Sequence, residues 1–372
     1  MHTGEHQKRV VVVLGMHRSG TSLVTRALRV LGVSLGDHLM PPVEHNNEKG
    51  FWEDLDVNAL NIGLLKTLGR DWHTFTPLLP NELSGPAVVA FQESALQILR
   101  QRLCTTDCFG VKDSRMCRLL PFWLDVFVKL QVRVSYVVLC RNPLSVAHSL
   151  AKRDGFDLQK ACYLWLDHML ESLVWTENRN RIVVEYDRFL AEPARQLERM
   201  AQALSLSFDA TGPEATGFLT DFLEPSMRHN QHRPEDLELQ KTLPANLTAL
   251  YKLLAELAAN PSAYEGPQIA SAIASIRAQH QDDYPALHYL GEWEQRHARQ
   301  VGERDKRIAE LCAALTARQA TIGSLQNELS RMDSQLRMIC SSRAWKMARV
   351  LRKLALPFKR LVDWPSLKSL RL

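Results

Sequence analysis

The stretch Val10-Val11-Val12-Val13-Leu14-Gly15-Met16-His17-Arg18-Ser19-Gly20-Thr21-Ser22 decides how the rest of the chain is read. Five apolar residues, four of them β-branched, predict a short strand buried on both faces. Gly15 and Gly20 bound a turn, and Leu23, Ala27, Leu28 and Leu31 then recur at helical spacing. Strand, glycine loop and helix in that order turn backbone N–H groups toward an anion, with the positive end of a helix dipole behind them. A phosphorylated or sulfated group is expected at this loop.

The string Gly15-Met-His-Arg-Ser-Gly-Thr-Ser22 resembles a P-loop with one departure. A nucleoside triphosphatase loop reads GxxxxGK[ST], and its lysine reaches the outer phosphates. Here Thr21 stands at the lysine position, and the certain cation inside the loop is Arg18. The phosphate cradle is kept while the γ-phosphate lysine is missing, which argues against an ordinary kinase or ATPase.

The 372 residues suffice for one large domain and an appendage. The net charge of +5 is unevenly spread: residues 343–372 hold nine Lys/Arg against Asp363, a balance of +8, which leaves −3 for residues 1–342. A nucleic-acid binder spreads a basic face over its fold, so no nucleic-acid partner is expected. The seven cysteines are scattered without paired CxxC spacing, as in a reducing compartment. The run Val10–Leu14 is too short for a signal peptide, and no run approaches the ~20 apolar residues of a membrane span. A cytoplasmic protein is expected, with the tail as the place for a peripheral membrane contact.

Further along, residues 32–58 are rich in Gly, Pro, Asn and His, a candidate substrate loop. Helices are predicted over 55–68, 87–103, 119–130, 143–152 and 157–178, with another ending near Leu204. Strands are predicted over Phe109–Val111, Val132–Leu139 and Arg181–Tyr186. The alternation gives an α/β class: a P-loop-type three-layer domain with a mostly parallel central sheet. Ligands of such sheets bind at the carboxyl ends of the strands. The glycine loop, Lys112-Asp113-Ser114-Arg115 and Arg141 all fall at such ends and should converge on one crevice. Arg228, His229, His232 and Arg233 read equally as a lid over an anion or as a solvated loop.

From about Glu292, Val301, Ile308, Leu315, Ile322, Leu329 and Leu336 fall every seven residues, and Leu311, Leu325, Met332 and Ile339 follow at heptad d positions. Arg304, Arg318, Gly302 and Gly323 weaken the seam. The reading is a coiled coil that makes a homodimer; one long helix folded back on the domain is the alternative. In the tail, Trp345, Ala348, Leu351, Leu354 and Phe358 share a face among Arg343, Lys346, Arg349, Arg352 and Lys353. Such a helix suits an anionic membrane surface or a partner subunit. The expected division is an α/β domain over 1–290, a coiled coil over 291–342 and a basic amphipathic tail over 343–372.

A second motif is Tyr136-Val-Val-Leu-Cys-Arg141-Asn142-Pro143-Leu-Ser145-Val-Ala-His148-Ser149, with Arg141 closing a strand and Ser149 two turns into the next helix. With the glycine loop, it resembles the sulfotransferases that use 3′-phosphoadenosine 5′-phosphosulfate (PAPS). The resemblance covers roughly residues 9–205 and extends to Lys112-Asp-Ser-Arg115 and Tyr186-Asp-Arg-Phe-Leu…Pro193. It implies that Arg18, Ser19, Gly20, Thr21 and Ser22 hold the 5′-phosphosulfate, and that Arg141 and Ser149 hold the 3′-phosphate. The residue types suit this without the name, because Arg141 can grip a phosphate bidentately and Ser149 adds a hydroxyl.

The implied reaction is in-line sulfuryl transfer from PAPS to an acceptor hydroxyl, with no metal required. Charge growing on the leaving bridging oxygen meets Arg18 and the N–H groups of Ser19 to Ser22; such donors are worth ~3–4 kcal/mol each. Arg18, Lys112 and Glu53 make the expected catalytic set. Glu53 leads the candidates for general base because Gly50-Phe51-Trp52 would set an aromatic wall beside it and raise its pKa; Glu44, Glu48, His45 and His38 follow. Ser341-Ser-Arg-Ala-Trp345 resembles the ends of polysaccharide-assembly enzymes, which points to a carbohydrate or lipid-linked glycan acceptor. A kinase with a degenerate P-loop and a non-enzymatic coiled-coil scaffold are the rival readings.

Overall fold

The apolar run Arg9–Leu14 forms strand β1, and every residue from Val10 to Leu14 is fully buried. A computed structural model describes residues 7–44, 47–224, 232–240, 242–260 and 266–355. Strands β2 (Cys108–Lys112), β3 (Arg133–Cys140) and β4 (Arg181–Glu185) join β1 in a sheet of order β2-β1-β3-β4, parallel at every pairing. β1 thus lies inside the sheet, with Val13 paired to Lys112 on one side and Leu14 to Val138 on the other.

Successive side chains of a strand face opposite ways, and here they feed two cores. Val10, Val12 and Leu14 join Tyr136 and Val138 on one face, while Val11 and Val13 join Val137, Leu139 and Val184 on the other. The first face is covered by α2 (Leu55–Thr67), α3 (Pro86–Cys104), α4 (Met116–Leu130), α5 (Pro143–Asp154) and α6 (Leu158–Trp175). The second is covered by α1 (Thr21–Val30), α7 (Tyr186–Ala191) and α8 (Pro193–Leu204). This is the three-layer α/β arrangement, here with a wholly parallel sheet. Helices α9 (Pro213–Gly217), α10 (Pro234–Glu238), α11 (Ala245–Ala259) and α12 (Pro267–Asp282) follow, and Leu250, Leu254 and Ile276 add to the first core.

Helix α13 runs from Tyr284 to Ser341, and α14 from Arg343 to Ala355. Contacts divide the chain into two compact units, Met1–Trp293 and Glu294–Leu372. In the second unit, Ile308, Leu311, Leu315, Ile322, Leu325, Leu329, Met332, Leu336 and Ile339 are all exposed. No helix among the described residues is long and apolar enough to cross a membrane. Phe358 and the rest of the tail after Ala355 lie outside the described residues, as do His45, Arg228 and His229.

Candidate active site

The loop after β1 is built to leave N–H groups without partners. The Gly15 N–H donates to the Cys117 thiol sulfur at 3.1 Å, and the Ser19 N–H closes a turn onto the Met16 carbonyl at 3.1 Å. Burial raises the Cys117 thiol pKa to about 11, so the sulfur is uncharged near neutrality. Gly20 then caps α1 at φ 92°, a left-handed conformation favouring glycine, with no side-chain cap and no acidic residue in the first turn. The N–H groups of Gly20, Thr21 and Ser22 make no hydrogen bond among the described residues. The expected four-donor set is therefore corrected to three, because Ser19 spends its N–H on the turn. Ser19 Oγ is fully buried and has no hydrogen-bond partner among the described residues. A buried polar atom left this way asks for a ligand.

Two side-chain clusters flank the loop. On one side, Arg18 Nε donates to Ser149 Oγ at 2.9 Å, and Arg141 Nη1 donates to the Arg18 carbonyl at 3.2 Å. The Arg141 guanidinium lies 4.3 Å over the Tyr186 ring. A Cβ at Gly20 would collide with that same ring. Burial, with Arg153 and Arg141 nearby, lowers the pKa of Arg18, so positive charge is crowded here. Arg18 thus sits with Arg141 and Ser149 in one cluster, not alone at the other anion position. The parallel register of β1 and β3, with Leu14 opposite Val138, brings the ends of the two motifs together.

On the other side, β2 ends in Lys112. Its Nζ lies 2.6 Å from Glu53 Oε1, 3.2 Å from the Phe51 carbonyl and 3.4 Å from Ser22 Oγ. The lysine absent from the loop sequence is supplied here from the neighbouring strand. Glu53 Oε2 accepts from Asn58 Nδ2 at 2.8 Å, so both carboxylate oxygens are engaged. Glu53, the expected base, is thus held between Lys112 and Asn58. Trp52 turns its ring toward Arg26, at 5.6 Å, and Phe222. Its Nε1 donates to the Lys49 carbonyl.

The segment Gly32–Asn58 is pinned across the loop, with Ser22 Oγ donating to the Phe51 carbonyl and Asn47 Nδ2 to Ser22 Oγ, both at 3.1 Å. Of the remaining base candidates, Glu44 and Glu48 are exposed, and His38 is an exposed partner of Asp56. The described part of the candidate lid, His232 and Arg233, offers its carbonyls to Asn142 Nδ2, and the His232 ring stacks on His148 at 4.8 Å.

Sequence reasoning passed over a third group. His17 packs on Trp72 with ring centroids 4.3 Å apart and lies 6.4 Å from the His168 ring. His168 Nδ1 donates to the Leu164 carbonyl at 2.7 Å, since a carbonyl only accepts; Nε2 therefore carries a lone pair. Burial, then Arg118, lowers the His168 pKa to about 4. The unfolded chain, near 6.5, binds that proton more readily, so the folded state loses stability as pH falls below 6.5 toward 4. Glu171, raised to about 7 mainly by burial, acts in the opposite sense between 7 and its ordinary value of 4.5. A comparison of His168→Asn with the parent isolates the imidazole. The parent should lose about 2 kcal/mol more than the variant between pH 7 and pH 5 in chemical denaturation. Equal losses would refute this assignment.

No protein-family model matches the chain, and no curated protein matches it. Solved structures do. The sulfotransferase domain of the Synechococcus PCC 7002 olefin synthase is 18% identical, with 69% of this chain and 97% of that domain covered and a TM-score of 0.37. The sulfotransferase domain from the curacin biosynthetic pathway is 16% identical, covering 70% and 99%, with a TM-score of 0.37. Retinol dehydratase, in complex with androsterone and the inactive cofactor PAP, is 13% identical, covering 74% and 81%, with a TM-score of 0.28. The chain is similar to sulfotransferase domains, at scores too low to carry an argument about its chemistry.

Proposed function

We propose that this protein transfers a sulfuryl group from PAPS to an acceptor hydroxyl. The observation that carries the reading is the meeting of three uncapped loop N–H groups with Arg18, Arg141 and Ser149 on one flank and Lys112 on the other. A donor with a 5′-phosphosulfate and a 3′-phosphate has an anion for each part. Gly20, Thr21, Ser22 and the Ser19 hydroxyl take the 5′ group, with Lys112 beside the leaving oxygen. Arg141, Ser149 and Arg18 take the 3′-phosphate. Glu53, held between Lys112 and Asn58, positions the lysine. A carbohydrate or lipid-linked glycan remains the proposed acceptor.

Lys112 beside Ser22 is the feature a phosphotransferase would share. Calorimetric titration separates the two: adenosine 3′,5′-bisphosphate (PAP) should bind without metal and more tightly than Mg·ATP. The reverse order would end the sulfuryl reading. Transfer of radiolabelled sulfate from PAPS to a panel of glycans then identifies the acceptor.

The exposed heptad positions of α13 support a homodimeric coiled coil. Sedimentation should give a dimer for the parent and a monomer for Leu315→Asp/Leu329→Asp; an unchanged mass for the double variant would exclude this seam. The exposed Trp345, Leu351 and Leu354 of α14, among Arg349, Arg352 and Lys353, support a peripheral contact with an anionic bilayer. Vesicle binding that is insensitive to Arg349→Glu/Lys353→Glu would remove it.

A further inference from the structure

His17 occupies an unusual position. It precedes Arg18 within the glycine loop, yet its ring turns to Trp72 and His168 while the Arg18 guanidinium runs to Ser149. His17 Nε2 is buried without a hydrogen-bond partner, and so is His168 Nε2. Two neighbouring imidazoles with orphaned buried nitrogens are expensive unless something visits them. A hydroxyl supplies the missing donor. Trp72 continues into a half-buried aromatic cluster with Phe156 at 5.6 Å and His73 at 5.3 Å, over which Arg153 and Lys160 place their cationic groups. Glu53, by contrast, has both oxygens occupied.

On the reading that this site transfers a sulfuryl group, we infer that His17 takes the proton of the acceptor hydroxyl, and that the bound anionic donor makes it basic enough to do so. The acceptor oxygen forms its bond to sulfur as the bond from sulfur to the bridging oxygen breaks. The bridging electron pair stays on the 5′-phosphate of PAP, and the acceptor proton passes to His17 Nε2 and then to solvent. The groups that act most strongly on the ring are Arg115, Arg153, His168 and Lys112; Arg115 is paired with Asp113, Arg153 with Asp154 and Lys112 with Glu53, and Asp167 lies beside His168. Burial and these cations hold the His17 imidazole well below its ordinary pKa, hence neutral. A multiply charged donor offsets the cations and moves the pKa back toward neutrality, where a general base works best. Proton acceptance is thereby tied to donor occupancy.

The test needs no knowledge of the acceptor, because water can replace it. Sulfate release from radiolabelled PAPS is followed against pH, PAP affinity is measured by calorimetry, and the wild-type His17 imidazole is titrated by ¹⁵N NMR with and without PAP. His17→Gln should release sulfate about 10²–10⁴-fold more slowly and lose the acid limb of the profile, while binding PAP within a few-fold of wild type. Glu53→Gln should keep that limb whatever its rate. Added PAP should raise the His17 pKa. A His17→Gln variant that keeps both rate and limb, or a His17 pKa indifferent to PAP, overturns the inference and leaves the donor assignment standing. Failure of wild type to bind PAP overturns both. If His17→Gln does not fold, the wild-type NMR titration decides alone.

Discussion

Lys112→Ala should destabilise the protein by about 3–5 kcal/mol, because it strands a charge that has no way to water. The Lys112 and Glu53 side chains are 3% and 7% exposed, and their atoms meet at 2.6 Å. Without the ammonium, Glu53 keeps one donor, Asn58. Lys112→Met/Glu53→Gln removes both charges and should recover much of the loss, as replaced buried pairs do. Denaturant midpoints at constant slope measure this. A single variant within about 1 kcal/mol of wild type would mean that the pair is solvated in solution. The same double variant should also bind PAP, since its loop and Arg141 are intact, while transferring sulfate poorly. Stability and chemistry then separate at one ion pair.

Arg141→Ala should weaken PAP binding by about 10–150-fold, the ~1.5–3 kcal/mol of a hydrogen bond to a charged group. The side chain is nearly buried, its guanidinium rests on Tyr186, and Nη1 holds the Arg18 carbonyl. Arg141→Lys keeps the charge but loses the planar fork, so it should restore only part of the affinity. Calorimetry on the three proteins checks the order. Equal affinities would remove Arg141 from the donor site and leave it as a support for the loop.

The strands were legible where β-branched residues run together: Val10–Leu14, Val132–Leu139 and Arg181–Tyr186 all contain real strands. The meeting of the glycine loop with Lys112 and Arg141 was legible too, since the ends of parallel strands align by register. Boundaries were harder. The helix predicted over 119–130 is α4, which starts three residues earlier at Met116 and carries Pro121 inside. An N–H at this position would have met the Cys117 carbonyl, five residues beyond Lys112 at the end of β2. What stayed hidden was pairing across long separations. Nothing local couples Glu53 to Lys112, Gly15 to Cys117, or His17 to Trp72. His17 stood inside the quoted loop, whereas the candidates for base were drawn from the Gly- and Asn-rich residues 32–58. Arg18 was assigned by its place in the loop, while its partner lay 131 residues on.

Tyr186 has been described twice, as the face under Arg141 and as the ring that excludes a Cβ at Gly20. One side chain therefore touches both places to which the proposed donor's two anions are assigned. Seating a 3′-phosphate on Arg141 braces the ring, and the braced ring sets the turn that presents the loop N–H groups. On the proposed donor reading, the two phosphate sites would behave as a chelate, with the second anion delivered at high effective concentration to a socket the first has already shaped. A nucleotide lacking either phosphate then forfeits more than that phosphate's own contacts, and selectivity for the doubly charged donor follows from a tyrosine that touches neither charge.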